Sequence, residues 1–340
     1  MSLNLPRNSS EVFKEFFDGE WTYEGYDQND LIQASRGNDY VFSGRGSDLV
    51  YGGSGDDFID GEEGDDYLFG GSGNDTILDT GGDNYMSGGS GNDYVEISEF
   101  GNSMMFGGKG DDTVVATYGT SGELHGNSGN DTIIVDGGTN QLFGESGNDT
   151  LEAYSGTNFM SGGSGDDVAY GGRDSDEIWG DSGNDELYGN GGDDTIFGRA
   201  DDDILDGGDG NDALSGGTGR DQLAGGAGND KLQGGEQDDV LDGGDGDDLL
   251  FGGLGRDVLT GGAGRDTFAF GMHLDGADTI TDFTVGEDVI DLQDEGLSFG
   301  DLQIERSTDG AAINVTANGH TITLENMSPS TSLSEVDFVF

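Results

Sequence analysis

The sequence predicts an all-β chain wound into a solenoid of very short stacked strands, and three observations predict it. The first is a nine-residue period: between Gly207 and Asp266 the unit GGxGxDxUx recurs in phase, with U a large apolar residue. Paired glycines permit a tight turn with close backbone approach, the Asp closes that turn, and U starts a short strand. The second is a ladder of apolar U positions: Val41, Val50, Ile59, Leu68, Ile77, Met86, Val95, Met105, Val114, Leu124, Ile133, Leu142, Leu151 and Met160, then Ile178, Leu187, Ile196, Leu205 and onward to Leu259, with Ala169 as the one small residue. Stacked in register, these residues make one continuous core. The third is composition. Of 340 residues, 69 are Gly and 2 are Pro, and 71 acidic residues face 12 basic ones for a net charge of -59. With 31% hydrophobic residues, such a chain lies on the disordered side of the charge–hydrophobicity balance, so something cationic must complete the fold.

Residues 1–36 carry no repeat and read as an N-terminal cap. Ser9 or Ser10 is placed to cap a short helix through Glu11, Val12, Phe13, Glu15, Phe16 and Phe17, whose aromatic rings and Trp21 would cover the first coil. From Gly37 to Met272 the chain steps by nines through about 26 units, with one-residue slips before Gly101 and before Gly129. Two units make an 18-residue coil, and about thirteen coils at about 4.8 Å each predict a rod about 60 Å long.

Charge and composition exclude several classes. Nucleic acid and anionic membrane surfaces need a basic patch, and the few Lys and Arg are scattered. Without Cys there are no disulfides, thiolate metals or Cys nucleophiles, which shifts cross-linking of an extracellular protein onto metal ions. No segment approaches the roughly 20 apolar residues of a membrane span. The N-terminus MSLNLPRNSSEVFKEFF lacks the basic-then-apolar pattern of a cleavable signal peptide, so export is expected by another route.

The nonapeptide resembles the signature of the RTX, or repeats-in-toxin, family along roughly two-thirds of the chain. The resemblance implies a right-handed parallel β-roll with Ca²⁺ between successive turns, held by Asp carboxylates and backbone carbonyls. That chemistry is reasonable on its own terms, since calcium takes six to eight oxygen ligands in a tolerant geometry. The ligand role carries onto the third place of each frame: Asp39, Asp48, Asp57, Asp66, Asp75, Asp93, Asp112, Asp131, Asp149 and Asp167. It continues at every ninth residue through Asp176, Asp185, Asp194, Asp203, Asp212, Asp221, Asp230, Asp239, Asp248, Asp257 and Asp266. One edge keeps this Asp without a break. The other loses it over five coils, where Asn84, Ser103, Ser121, Asn140 and Asn158 stand instead and the glycine pattern thins. Counting neighbouring pairs predicts about 15–18 calcium ions, offsetting roughly half the net charge. The bare edge over residues 82–160 is read either as drift in a rod with calcium to spare, or as a polar face of Asn, Ser and Thr (Thr120, Thr139, Thr157) for a polysaccharide or ice.

After Met272 the repeat stops. Ala277 to Leu292, ADTITDFTVGEDVIDL, resembles the flank that follows the repeats in serralysin-type proteases and alginate epimerase modules, and LSFGDLQI, AAINV, HTITLENM and EVDFVF alternate as strands that would close the roll. Asp337 before Phe338, Val339 and Phe340 resembles the C-terminal signal of type I secretion. No catalytic residue is assigned. His125, His273 and His320 lack zinc-protease spacing, the glycine turns end in Asp rather than a phosphate-binding Lys, and GxSxG at Ser298 leaves about 40 residues for the rest of a triad. The expected protein is a secreted, non-enzymatic calcium binder with a structural or adhesive role in a surface layer, matrix or adhesin, whose partners are calcium, the type I secretion machinery and either its own copies or an extracellular glycan. An enzyme accessory or toxin-related protein is the remote alternative.

Overall fold

In the computed structural model, which describes residues 13–17, 20–99, 101–271, 276–293, 296–308, 310–317 and 319–340, the chain is all-β and divides into two compact units, Met1–Gly172 and Arg173–Phe340. Each is a parallel β-roll. In the first, one wall stacks Tyr40–Phe42, Phe58–Asp60 and Thr76–Asp79, with Val41 opposite Ile59 and Ile59 opposite Ile77. The facing wall stacks Leu49–Ser54, Tyr67–Ser72 and Tyr85–Ser90, with Val50 opposite Leu68 and Leu68 opposite Met86. The second unit repeats the plan: Ile196 lies opposite Leu214 on one wall, and Leu205 opposite Leu223 on the other.

In the strands of the repeat, the side chain at U points inward, and every U residue named above is buried. A core so thin, two facing files of side chains, removes little apolar area per residue from water, so hydrophobic burial alone stabilises it weakly. In the first unit, stacked rings on the outer face of the second wall add to it. Tyr51 lies on Phe69 with centroids 5.1 Å apart, and His125 is sandwiched between Phe106 and Phe143 at 4.8 and 4.9 Å.

The stacked strands run beyond the bounds that the repeat sets. Tyr23 and Ile32 pair in register with Val41 and Val50 and are buried, so a coil precedes Gly37. The short helix expected over residues 11–17 is corrected where it is described: Phe13–Phe17 is a strand antiparallel to Glu20–Glu24, with Phe16 facing Trp21. Three Phe in five residues favour an extended chain. Ser9, Ser10, Glu11 and Val12 lie outside the described residues, as do Met272 and His273. At the other end Ala277–Ile280 and Val289–Asp291 join the two walls in parallel, Leu259 facing Ile280 and Phe268 facing Ile290. Gln303–Arg306, Ile313–Ala317 and His320–Leu324 form an antiparallel meander whose last strand pairs with Ala277–Ile280, and Phe338–Val339 pairs with Val289–Asp291.

Two coils are a residue longer than the rest, since Val95 faces Val114 and Val114 faces Ile133. The second extra residue lies in the turn between Ala116 and Ser121, ahead of the slip expected before Gly129. Exposed Tyr118 takes φ 56° there. Consequently Gly122, opposite Ser103 and Asn140, occupies the place of the column Asp, and Ser121 does not.

Candidate metal centre

Outside the five altered turns, each turn of the repeat brings one Asp inward just ahead of a strand. All of the Asp residues expected as ligands, from Asp39 to Asp266, are at most 4% exposed. Each column is stitched along the stack: Asp57 Oδ1 accepts the Asp39 N–H at 2.8 Å, Asp75 that of Asp57 at 2.8 Å, and in the second unit Asp212 that of Asp194 at 2.8 Å. The preceding residue makes an exposed ladder of opposite sense, with Asn38 Oδ1 accepting the Asp56 N–H at 2.9 Å and Asp56 Oδ1 that of Asn74 at 2.8 Å. The sequence reading passed over this ladder, although Asn and Asp recur at that place. It also missed Asp30, Asp278 and Asp288, which extend the columns: Asp48 Oδ1 accepts from Asp30 N at 2.7 Å, Asp278 from Asp257 N at 3.0 Å and Asp288 from Asp266 N at 3.0 Å.

The other carboxylate oxygen is the chemically important one. Oδ2 of Asp48, Asp57, Asp66, Asp75, Asp93, Asp112, Asp131 and Asp149, and of Asp194, Asp203, Asp212, Asp221, Asp230, Asp239 and Asp248, is buried with no hydrogen-bond partner. A buried carboxylate oxygen without a donor is expensive, and repeating it along the columns demands a counter-charge. The space beside it has a definite lining. A Cβ added to Gly52 would meet Asp57 Oδ2 at 2.6 Å and Gly70 O at 2.7 Å; at Gly225 it would meet Asp230 Oδ2 and Gly243 O, both at 2.5 Å. Gly52 and Gly225 do not have positive φ, so glycine is needed there for room rather than for conformation. Carboxylate and carbonyl oxygens therefore converge where no donor answers them, which is the hard-oxygen environment that suits calcium. Among the described residues no three acidic or imidazole side chains converge, so any ion must take most of its ligands from backbone carbonyls and water.

The bare edge has a different interior. Two residues after U, where working turns carry glycine except for Ala34 ahead of Asp39 and Ser43 ahead of Asp48, the five altered turns carry Asp79, Ile97, Ala116, Val135 and Ala153, all buried. A side chain fills each cradle in the coils where the column Asp is lost. From Ile97 to Ala153 the ion's place is taken by an apolar plug, a signal present in the sequence as the missing glycine. Of the residues that the polar-face reading of this edge names, Asn84, Ser103, Thr120, Asn140 and Asn158 are buried, while Thr139 and Thr157 are exposed. Thr120 Oγ1 is spent on the Glu99 carbonyl at 2.8 Å, and Asn140 Nδ2 on Gly137 O at 2.9 Å and Asn158 Oδ1 at 3.1 Å.

Burial raises six of the column carboxyls in particular, and neighbouring carboxylates add to it: Asp203 is pushed up to about 8, Asp75, Asp112 and Asp239 to about 7, and Asp57 and Asp212 to about 6. An acid held above its ordinary value binds protons more tightly in the folded state, so its contribution to stability is present at about pH 4 and is lost as pH rises through 6 to 8. Calcium-free protein is thus expected to show more β structure by circular dichroism at about pH 5 than at pH 7.5. Calcium should reverse the order, because ligands must be deprotonated and binding releases protons. Equal β content at both pH values without calcium would contradict this.

Other candidate chemistry is not assembled. Ser298 Oγ donates to Asp301 Oδ2 at 2.6 Å at the start of the short turn Phe299–Asp301, with no strand-to-helix elbow. His125 holds Glu145 at 2.9 Å and Glu123 at 3.1 Å inside the ring stack. No helix among the described residues is long and apolar enough to cross a membrane.

The chain matches the RTX calcium-binding nonapeptide repeat over residues 24–95 and 99–272, beginning at the coil that the glycine pattern alone did not reveal. No curated protein matches it. Among solved structures it is similar to the R3 subunit of the mannuronan C5-epimerase AlgE6 from Azotobacter vinelandii (29% identity, 44% of this chain and 78% of that one, TM-score 0.20). It is also similar to the extracellular lipase LipA from Serratia marcescens (19% identity, 56% of this chain and 41% of that one, TM-score 0.23). Well over half of the chain is accounted for by the repeat alone, and the buried acid columns give the repeat its chemical purpose: this is a member of the RTX calcium-binding nonapeptide repeat family, and it binds multiple calcium ions.

Proposed function

We propose that the protein is a secreted, non-catalytic calcium-binding scaffold that folds on reaching calcium outside the cell and serves a structural or adhesive role there. The observation that carries this reading is the buried carboxylate oxygen without a donor, repeated along the acid columns of each unit. The column Asp residues from Asp39 to Asp266 would hold the ions through Oδ2, with carbonyls such as Gly70 O and Gly243 O completing each set, for about 15–18 ions in all. The bound cations supply the counter-charge that the polypeptide lacks. In submicromolar cytosolic calcium the chain stays open and exportable; millimolar calcium outside closes it.

The C-terminus supports this order of events. Asp337 is fully buried, accepting from Gly286 N at 3.1 Å and Ser334 N at 2.7 Å, while Phe338–Val339 is built into a wall. A type I secretion signal at Asp337–Phe340 could be read only before this end folds.

Light scattering of the purified protein as calcium rises from chelated to millimolar tests the role. Growth into large, calcium-reversible assemblies is the expected result for a surface layer or matrix component. Compaction to a stable monomer would overturn self-assembly in favour of a glycan-binding module.

A further inference from the structure

The second edge does not simply stop binding at Asn84. In a working coil the column Asp uses Oδ1 to accept the N–H from the coil before and leaves Oδ2 as the free acceptor. Asn84 keeps the first contact, its Oδ1 accepting from Asp66 N at 2.7 Å, but its second atom is an amide donor. That Nδ2 donates at 2.8 Å to Asp79 Oδ1, which also accepts the Gly81 N–H at 2.8 Å. Two donors thus fix the Asp79 carboxylate and leave its Oδ2 without a partner, and the residue is 1% exposed. That oxygen is aimed into the cradle below. A Cβ on Gly61 would meet Asp66 Oδ2 at 2.9 Å and Asp79 Oδ2 nearer still, and Asp66 Oδ2 has no partner either.

We propose that Asp79 is a metal ligand outside the repeat pattern, closing the last calcium site of this stretch of the edge together with Asp66. The carboxylate lost at position 84 has moved to position 79. Two buried carboxylate oxygens that no donor outside the pair answers face one small space lined by Gly61, where the two carboxyls can hydrogen-bond only to each other, and a divalent cation between them satisfies both. One coil further on, Ile97 fills the equivalent space, so the file ends on a charge-complete site. This assignment rests on the reading of the columns as calcium sites.

Native mass spectrometry at neutral pH in saturating calcium counts the ions. Asp79→Ala, which places at this position the residue that coils at Ala116 and Ala153 already carry, is expected to hold one ion fewer than the parent. Asp79→Gly combined with Asn84→Asp restores the repeat's own arrangement and is expected to regain the parent count. If Asp79→Ala lacks the β signal in calcium, Asp79→Asn, which keeps the volume, is counted in its place. An unchanged count in the single variant, with the roll intact, would overturn the proposal while leaving the column sites standing. A parent chain that holds no calcium would instead overturn the reading beneath it.

Discussion

Stripped of calcium at pH 7.5, both units are expected to lose their β structure, with far-ultraviolet circular dichroism falling to that of a disordered chain and recovering on calcium addition. The magnitudes decide this. Without metal the fold must bury carboxylates from nearly every turn against a net charge of -59, on a core two side chains thick. A site in calcium at a hundred times its Kd contributes about 2.7 kcal/mol, and a whole domain has a stability of only about 5–15 kcal/mol. Half a dozen such sites therefore exceed everything else the roll has in reserve. Hydrogen exchange at intermediate calcium should leave residues 94–153 among the last to open, because plugs at Ile97, Val135 and Ala153 and the rings from Phe106 to Phe143 need no ion on that edge. Uniform opening of the first unit would argue against the plugs.

Gly243→Val is the second large effect. The added side chain would meet Asp248 Oδ2 at 2.5 Å and Gly261 O at 2.6 Å, and the latter is backbone that cannot swing away. Gly243 does not have positive φ, so the substitution tests the cradle and not the turn conformation. Overpacking of this kind costs about 1–3 kcal/mol, and the lost ion removes about as much again. One ion fewer by equilibrium dialysis and a higher calcium midpoint for folding are expected. The converse change, Val135→Gly, should lower stability by emptying a buried site without gaining an ion, since Asn140 stands where the carboxylate should be. A full complement of ions in Gly243→Val would mean that calcium sits elsewhere in the turn.

How much of this was legible in the sequence follows from what repeats. The period carried the strands, the buried U files and the Asp columns, because each coil faces the same packing problem and solves it with the same residues. What escaped was whatever breaks the nine-residue count. Asp30 sits in a coil that has Gly25 but lacks the later glycines of the turn, and Asp278 and Asp288 follow their column neighbours by 21 and 22 residues. The helix expected near Phe13 came from capping residues and lost to aromatic strand propensity. The plugs were visible as missing glycines, yet glycine loss at a turn suggests a conformational change, and only the geometry shows that these glycines provide volume. Asp79 was hidden for the same reason: it breaks the frame while keeping its chemistry.

The most direct measurement is anomalous diffraction from crystals grown in calcium, which locates the ions against the columns. Peaks are predicted beside Oδ2 of the column Asp residues in coil after coil, with none between Ile97 and Ala153 on the plugged edge. Peaks along the plugged stretch, or none beside Asp57, Asp75, Asp212 and Asp230, would contradict the assignment of the buried carboxylates as the calcium sites that complete the fold.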